Sequence, residues 1–247
     1  MLGAIIGDLS AWTSFNQPEC FKQRLIYPEA KLSGYGYLAL TIFEPIANCE
    51  QIYKHRMYPL IGKALMHKPS CVDMPEEWHI WGMCNYDKPM PFRLKIAIIF
   101  AAIIDSSVCS EVYQNHLNWH TFFHGGKQEY YAKFLMTAIR RLREGTSKDE
   151  AIKDLPNFAF NYYKRGYKHS WKHILDYTTF AWRCAYYAND FKTALINAAK
   201  CNGNRHLAMF ITGAISEAMY GLDSYDKIIP QEIKDCFKYE INKIQIV

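Results

Sequence analysis

The sequence of this 247-residue chain has no hydrophobic run long enough to cross a membrane. Its longest uninterrupted apolar segment, Ile96 to Ile104, lies between Lys95 and Asp105 and is about half of the ~20 residues that a transmembrane helix needs. We therefore expect a buried helix here and no membrane partner. The segment from Met1 to Ile6 has no basic residue before it and meets Asp8 too early for a secretory signal. We expect a cytoplasmic protein.

Closely spaced cysteine pairs and a strong charge imbalance are also missing. The eight cysteines contain no CxxC pair, which argues against a zinc ribbon and a disulfide scaffold, so we expect reduced and mostly buried thiols. The 29 Lys and Arg against 24 Asp and Glu give a dispersed net charge of +5, too small to predict a nucleic-acid partner. No linker interrupts the chain, so we predict one domain spanning residues 1–247.

Strand-type alternation of apolar and polar residues is almost absent. We predict a strand only at Ile241 to Val247, and one terminal strand cannot define a sheet. Elsewhere apolar residues recur at three- and four-residue steps, as from Leu207 to Ala218 and from Glu129 to Glu144. Between Pro69 and Met90 we predict a long loop with one short helix. The pattern predicts an all-α domain.

Local signals predict where several helices begin and end. Asp190 is placed to cap a helix that runs to Cys201, and Ser147 with Glu150 has the spacing of a capping box. Gly145 and Gly221 are placed to end helices.

Two segments resemble the ADP-ribosylglycohydrolase family, also called the ADP-ribosylarginine hydrolase or DraG-like family. The first is Met1-Leu-Gly-Ala-Ile-Ile-Gly-Asp8. The second runs from Asp190 to Gly221 and is followed by Ile229-Pro230. The resemblance implies a compact domain of many orthogonally packed helices, with a central cleft in which two magnesium ions support hydrolysis of a glycosidic bond to ADP-ribose.

The chain departs from the family pattern where the metal ligands belong. The family's Asp-x-Asp-Thr turn falls on Asn204-Arg205-His206-Leu207, and its Thr-Asp-Asp-Thr motif falls on Ser33-Gly34-Tyr35-Gly36. Because magnesium needs oxygen ligands and gives up its water reluctantly, losing four carboxylates argues against the two-metal mechanism. We expect no metal or other cofactor, and a pseudoenzyme with respect to magnesium-dependent hydrolysis.

The resemblance nevertheless marks candidate ligand-binding residues. They are Asp8, Tyr35, Arg93, Asn204 and Arg205, and only Arg93 remains of the family's substrate-contacting loop. Two of them also have a structural interpretation: Asp8 as a helix cap or a core hydrogen-bond acceptor, and Asn204 as a simple helix cap. The alternative for the turn is an anion site at the start of a helix.

Histidines are the candidate proton carriers, because their pKa lies near neutrality. We select His206, within the altered turn, and His124, the last of three histidines spaced four apart with His116 and His120. That spacing is also typical of a polar helix face, as is the pair His169 and His173.

Aromatic residues are concentrated between Trp78 and Phe92. This cluster comprises Trp78, Trp81, Tyr86 and Phe92. It is either core packing or an aromatic wall on which a base could stack.

Three functional hypotheses follow. The first is a degenerate ADP-ribosylglycohydrolase-like protein whose altered cleft binds a nucleotide, an ADP-ribose-related ligand or a protein partner. The second is a metal-independent enzyme that acts on such a small molecule by histidine acid–base chemistry. The third is a structural or interaction protein whose cleft is filled by Tyr35, Leu38 and tryptophans.

Overall fold

Helices dominate the part of the chain that the computed structural model describes, which comprises residues 1–47, 54–84, 89–107, 127–153, 174–222 and 224–246. The α-helices of these ranges are α1 (Leu2–Asn16), α2 (Gly34–Ala47), α3 (Lys54–Met66), α4 (Glu76–Met83), α5 (Phe92–Ser106), α6 (Lys127–Arg143), α7 (Lys148–Ala151), α8 (Ile174–Tyr186), α9 (Phe191–Ala198), α10 (Arg205–Tyr220), α11 (Gln231–Cys236) and α12 (Lys238–Ile246), with a 3₁₀ turn at Tyr225–Ile228. Two short parallel strands, β1 (Leu32–Ser33) and β2 (Val72–Asp73), pair Leu32 with Val72 and Ser33 with Asp73. No helix in these ranges is long and apolar enough to cross a membrane.

The predicted helix starts at Ser147 and Asp190 are confirmed, whereas the helix that follows Asp190 ends at Ala198, before the predicted Cys201. The Ser147 hydroxyl accepts a hydrogen bond from the Glu150 amide at 3.3 Å, and the Asp190 carboxylate accepts one from the Thr193 amide at 2.7 Å. Gly221 follows the last residue of α10 with a φ of 73°, which only glycine adopts freely. The apolar run Ile96–Ile104 forms the buried centre of α5.

The predicted strand at Ile241 to Val247 is wrong, because the described part of this segment belongs to α12. Ile241 is buried and Ile244 packs against the core. Their positions differ by three, which places the two side chains on one face of a helix. The segment's short alternating pattern suggested a strand, whereas the spacing of the buried residues follows the helix.

The predicted loop between Pro69 and Met90 contains the expected short helix, α4, and also strand β2. Trp78 and Trp81 are buried in the core, which supports the packing interpretation for these two residues. Phe92 is 62% exposed, and Tyr86 lies outside the described residues. Six cysteines fall within the described ranges; all are free, and Cys71, Cys184 and Cys201 are buried.

The closest helix packing in the described ranges joins α1 to α10, which carry the two segments of the family resemblance. Three glycines make this crossing possible. A Cβ atom on Gly213 would lie 2.0 Å from the Gly3 carbonyl oxygen, and one on Gly7 would lie 2.1 Å from the Met209 carbonyl oxygen. Since both obstacles are backbone atoms, neither can yield without moving a helix.

We predict that Gly213→Ala lowers the free energy of unfolding by about 3 kcal/mol or more, because the added methyl group forces the two helices apart. Urea unfolding followed by circular dichroism measures the change. The matched control is Gly145→Ala, where φ is 84° but no atom lies within 4 Å of the added carbon. That change costs only the backbone strain of about 1–2 kcal/mol. An equal loss in both variants would show that the crossing is not tightly constrained.

Candidate functional site

Asp8 is a fully buried carboxylate in the middle of α1. Its Oδ2 accepts a hydrogen bond from the Ser33 amide at 2.7 Å, and its Oδ1 accepts one from the Ser33 hydroxyl at 2.5 Å. Protein donors therefore replace the water that this charge loses on burial. Asp8 is not a helix cap, and the interpretation of a core acceptor agrees with these contacts.

His206 provides the third contact to this carboxylate. Its Nδ1 lies 3.0 Å from Asp8 Oδ1, and its side chain is 24% exposed whereas that of Asp8 is 0% exposed. The ring's other nitrogen, Nε2, has no hydrogen-bond partner among the described residues. When Nδ1–H donates to the carboxylate, Nε2 carries the free lone pair. The pair thus consists of a buried, oriented carboxylate and an accessible imidazole.

The segment Ser33-Gly34-Tyr35-Gly36 wraps around Asp8 at the start of α2. A Cβ atom on Gly36 would lie 2.6 Å from Asp8 Oδ2, and one on Gly34 would lie 2.1 Å from the Trp78 ring. The Ser33 hydroxyl also accepts a hydrogen bond from the Tyr35 amide at 3.1 Å. The two glycines therefore leave room for the carboxylate and for a buried tryptophan.

Asn204 uses its side chain to build the start of α10. Its Oδ1 accepts from the Leu207 amide at 3.0 Å, and its Nδ2 donates to the Tyr35 hydroxyl at 2.7 Å. The Asn204 amide donates to the Tyr177 hydroxyl at 3.2 Å. The interpretation of Asn204 as a helix cap is therefore confirmed, and Asn204 also links α10 to α2 and α8.

The two tyrosines that contact Asn204 keep their protons at neutral pH. Burial is the main cause that raises the pKa of each hydroxyl, with a further contribution at Tyr35 from the nearby Tyr177. The positive charge of Arg93 opposes the rise at both. Arg93 itself is exposed in the first turn of α5.

Arg205 turns toward the end of α1. Its Nη1 lies 3.3 Å from both the carbonyl oxygen and the hydroxyl of Ser14, and its guanidinium carbon lies 4.1 Å from the centroid of the Phe15 ring. The Phe15 ring is 52% exposed and also stacks on His206 with centroids 5.7 Å apart. The Nε of Arg205 is buried and has no partner within the described ranges.

Six of the seven predicted site residues are therefore described. Five of them lie at the start of α10 or contact a residue there: Asp8, Tyr35, Asn204, Arg205 and His206. The sixth, Arg93, acts on the hydroxyls of Tyr35 and Tyr177 through its charge. The seventh, His124, lies outside the described residues, as do His116, His120, His169 and His173.

A pair of magnesium ions does not fit the residues at this site. Both oxygens of Asp8 accept N–H or O–H donors, and the carbonyl oxygen of Asn204 caps the helix. The residue after Asn204 is Arg205, and its positive charge repels a metal ion. Among the described residues, no group of three or more His, Cys, Asp or Glu is arranged to hold a metal ion.

Comparisons with known proteins leave the family open: no protein-family model and no curated protein matches the sequence.

Sequence reasoning missed the residues that orient the predicted ones. Ser33 supplies two of the three contacts to Asp8, and Tyr177 and Phe15 contact Asn204 and His206. Ser33 could have been found, because it occupies the first position of the segment Ser33-Gly34-Tyr35-Gly36, which the sequence analysis had already singled out. Tyr177 carries no comparable signal in the sequence.

We predict that Asp8→Ala lowers the free energy of unfolding by about 2–4 kcal/mol, because it leaves the buried Ser33 amide without an acceptor and removes the partner of His206. Chemical denaturation measures the loss. Ser10→Ala is the matched control on the same helix: the Ser10 hydroxyl is also buried but has no hydrogen-bond partner in the described structure. We expect it to cost less than about 1 kcal/mol. Similar losses for both would mean that the contacts of Asp8 contribute little.

Proposed function

We propose that this protein is a divergent member of the ADP-ribosylglycohydrolase fold whose altered cleft binds a nucleotide- or ADP-ribose-related ligand without two-metal hydrolysis. The observation that carries the proposal is the contact between Asp8 and His206. His206 occupies a position where the family pattern has a metal-binding carboxylate. Its imidazole contacts Asp8, the one carboxylate kept from the opening motif. The start of α10 thus keeps a polar contact with α1, while an imidazole stands in place of the carboxylate of the family pattern.

The charges at the rim favour an anionic ligand. Three cationic or protonatable groups are involved: Arg93 acts on Tyr35 through its charge, Arg205 lies over the Phe15 ring, and His206 contacts Asp8. The amides of Arg205 and His206, in the first turn of α10, have no hydrogen-bond partner among the described residues. Free amides at a helix start favour a phosphate, and a nearby guanidinium strengthens that preference. The diphosphate of ADP-ribose has this chemistry.

The residues named in the third hypothesis are packed into the core. Tyr35, Leu38 and Trp78 are all buried, as the third hypothesis expects of a closed cleft. The rim residues Phe15 and His206 remain exposed in part. The ligand would therefore rest on the rim, against the Phe15 ring and the start of α10.

We predict that ADP-ribose raises the melting temperature equally in magnesium and in EDTA. At a concentration 100-fold above the dissociation constant, binding stabilises the native state by about 3 kcal/mol, or roughly 5–10 °C for a chain of this size. His206→Ala should reduce the shift, while His67→Ala, which removes an exposed histidine far from this cluster in sequence, should retain it. A shift that requires magnesium would contradict the proposal, and no shift with any nucleotide would favour the interaction protein.

A second candidate function is metal-independent catalysis with His206 as the proton carrier. The same contact supports it: the Asp8 carboxylate holds Nδ1–H, so Nε2 can accept a proton, and the carboxylate then stabilises the imidazolium. The proton comes from a water whose oxygen bonds to the ribose carbon, and Nε2–H then donates it to the leaving group as the glycosidic bond to that carbon breaks. The substrate would be an ADP-ribose- or nucleotide-derived molecule.

For this candidate we predict release of ADP-ribose from ADP-ribosylarginine that continues in excess EDTA. His206→Gln should lower kcat by about 10²–10⁴, because general acid–base catalysis contributes that much. His67→Gln serves as the matched control. Chromatographic detection of ADP-ribose measures turnover, and full activity in the His206→Gln variant would exclude His206 as the proton carrier.

A further inference from the structure

The C-terminal part of the described chain forms a cavity of about 360 Å³. It lies among the 3₁₀ turn, α11 and α12, and shares no residue with the cluster around Asp8 and His206. The residues that line it are Lys227, Gln231, Lys234, Asp235, Lys238, Ile241 and Asn242.

Three lysines converge on this cavity with one carboxylate. That carboxylate, on Asp235, accepts a hydrogen bond from Gln231 Nε2 at 2.7 Å. None of the three ammonium groups forms an ion pair with a carboxylate in the described structure, and Lys234 Nζ donates instead to the Lys227 carbonyl oxygen at 3.2 Å. The lining of the cavity therefore carries an excess of positive charge, with three lysines against one carboxylate.

This arrangement costs energy in the absence of an anion. Like charges around one concave site repel, and at low ionic strength salt screens this repulsion only in part. The contact of Lys234 with the Lys227 carbonyl also holds one of the long side chains over the turn, which lowers the entropy lost when a ligand binds. An anion that accepts several hydrogen bonds would offset the repulsion.

The lining residues define the chemistry of that anion. Lysine binds phosphate as a compact point charge with three donors, and Asn242 adds an amide donor. Ile241 is buried and forms an apolar base. The volume is at the lower end of the range for small-molecule sites, which suits a phosphorylated metabolite better than a large cofactor.

We propose that this lysine cavity binds the phosphate groups of a small soluble phosphorylated molecule, at a site separate from the one around Asp8 and His206. Lys227 and Lys238 provide charge from the turn and from α12, and Lys234 provides it from α11 between them. The proposal does not depend on the proposed function, because it uses none of the same residues.

Isothermal titration calorimetry with inorganic pyrophosphate, on the full chain at low ionic strength, tests this site. We expect the double variant Lys227→Gln/Lys238→Gln to weaken binding by at least about tenfold, since each lost charged hydrogen bond contributes a comparable factor. The double variant should unfold at the same temperature as the parent, because neither ammonium group makes an ion pair in the described structure.

Two matched variants make the result specific. Lys22→Gln removes one exposed lysine elsewhere on the surface and should leave the affinity within about twofold, as should His206→Ala at the other site. Equal weakening by Lys22→Gln would mean that net charge alone attracts pyrophosphate. Unchanged binding in the double variant would overturn the proposal, and so would the absence of any pyrophosphate binding by the parent protein.

Discussion

The close crossing of α1 and α10 determines the geometry on which the rest of the site depends. Gly3 and Gly7 on one helix and Gly213 on the other let the two backbones touch. Asp8 follows Gly7 directly, and His206 lies almost two turns before Gly213 on α10. A shift of either helix would therefore separate the carboxylate from the imidazole. The glycines and the polar pair act as one structural unit, although about 200 positions separate them in the chain.

Sequence reasoning succeeded where a local interaction determines structure. Ser147 and Asp190 cap helices because their side chains bond to an amide three residues ahead, and that relation is visible in the sequence. The prediction of a terminal strand failed because a short stretch of strand-like alternation was weighed above the three-residue spacing of Ile241 and Ile244. The contact of Asp8 with His206 follows from tertiary packing, so the sequence alone could only list both residues as candidates.

A metal centre and an Asp–His pair place opposite demands on a carboxylate. Magnesium needs carboxylate oxygens that remain free to coordinate, whereas Asp8 is saturated by two contacts from Ser33 and one from His206. Two contacts from Ser33 and one from His206 therefore stabilise the buried Asp8 carboxylate without an ion. Asn204 caps α10 and Arg205 contacts Ser14 at the end of α1, so the neighbouring polar groups also have protein partners.

This division between interior and rim bears on what the protein can do. Asn204 and Tyr35 contact each other and are occupied with holding α10 to α2, so their polar groups serve structure first. The groups that remain for a ligand are on the outside: the Nε2 of His206, the exposed ring of Phe15 and the charge of Arg93. A ligand bound there would contact few atoms of the core, and its specificity would come from phosphate and ring recognition at the helix start. The fold alone cannot supply that specificity, because function depends on the particular residues of the rim.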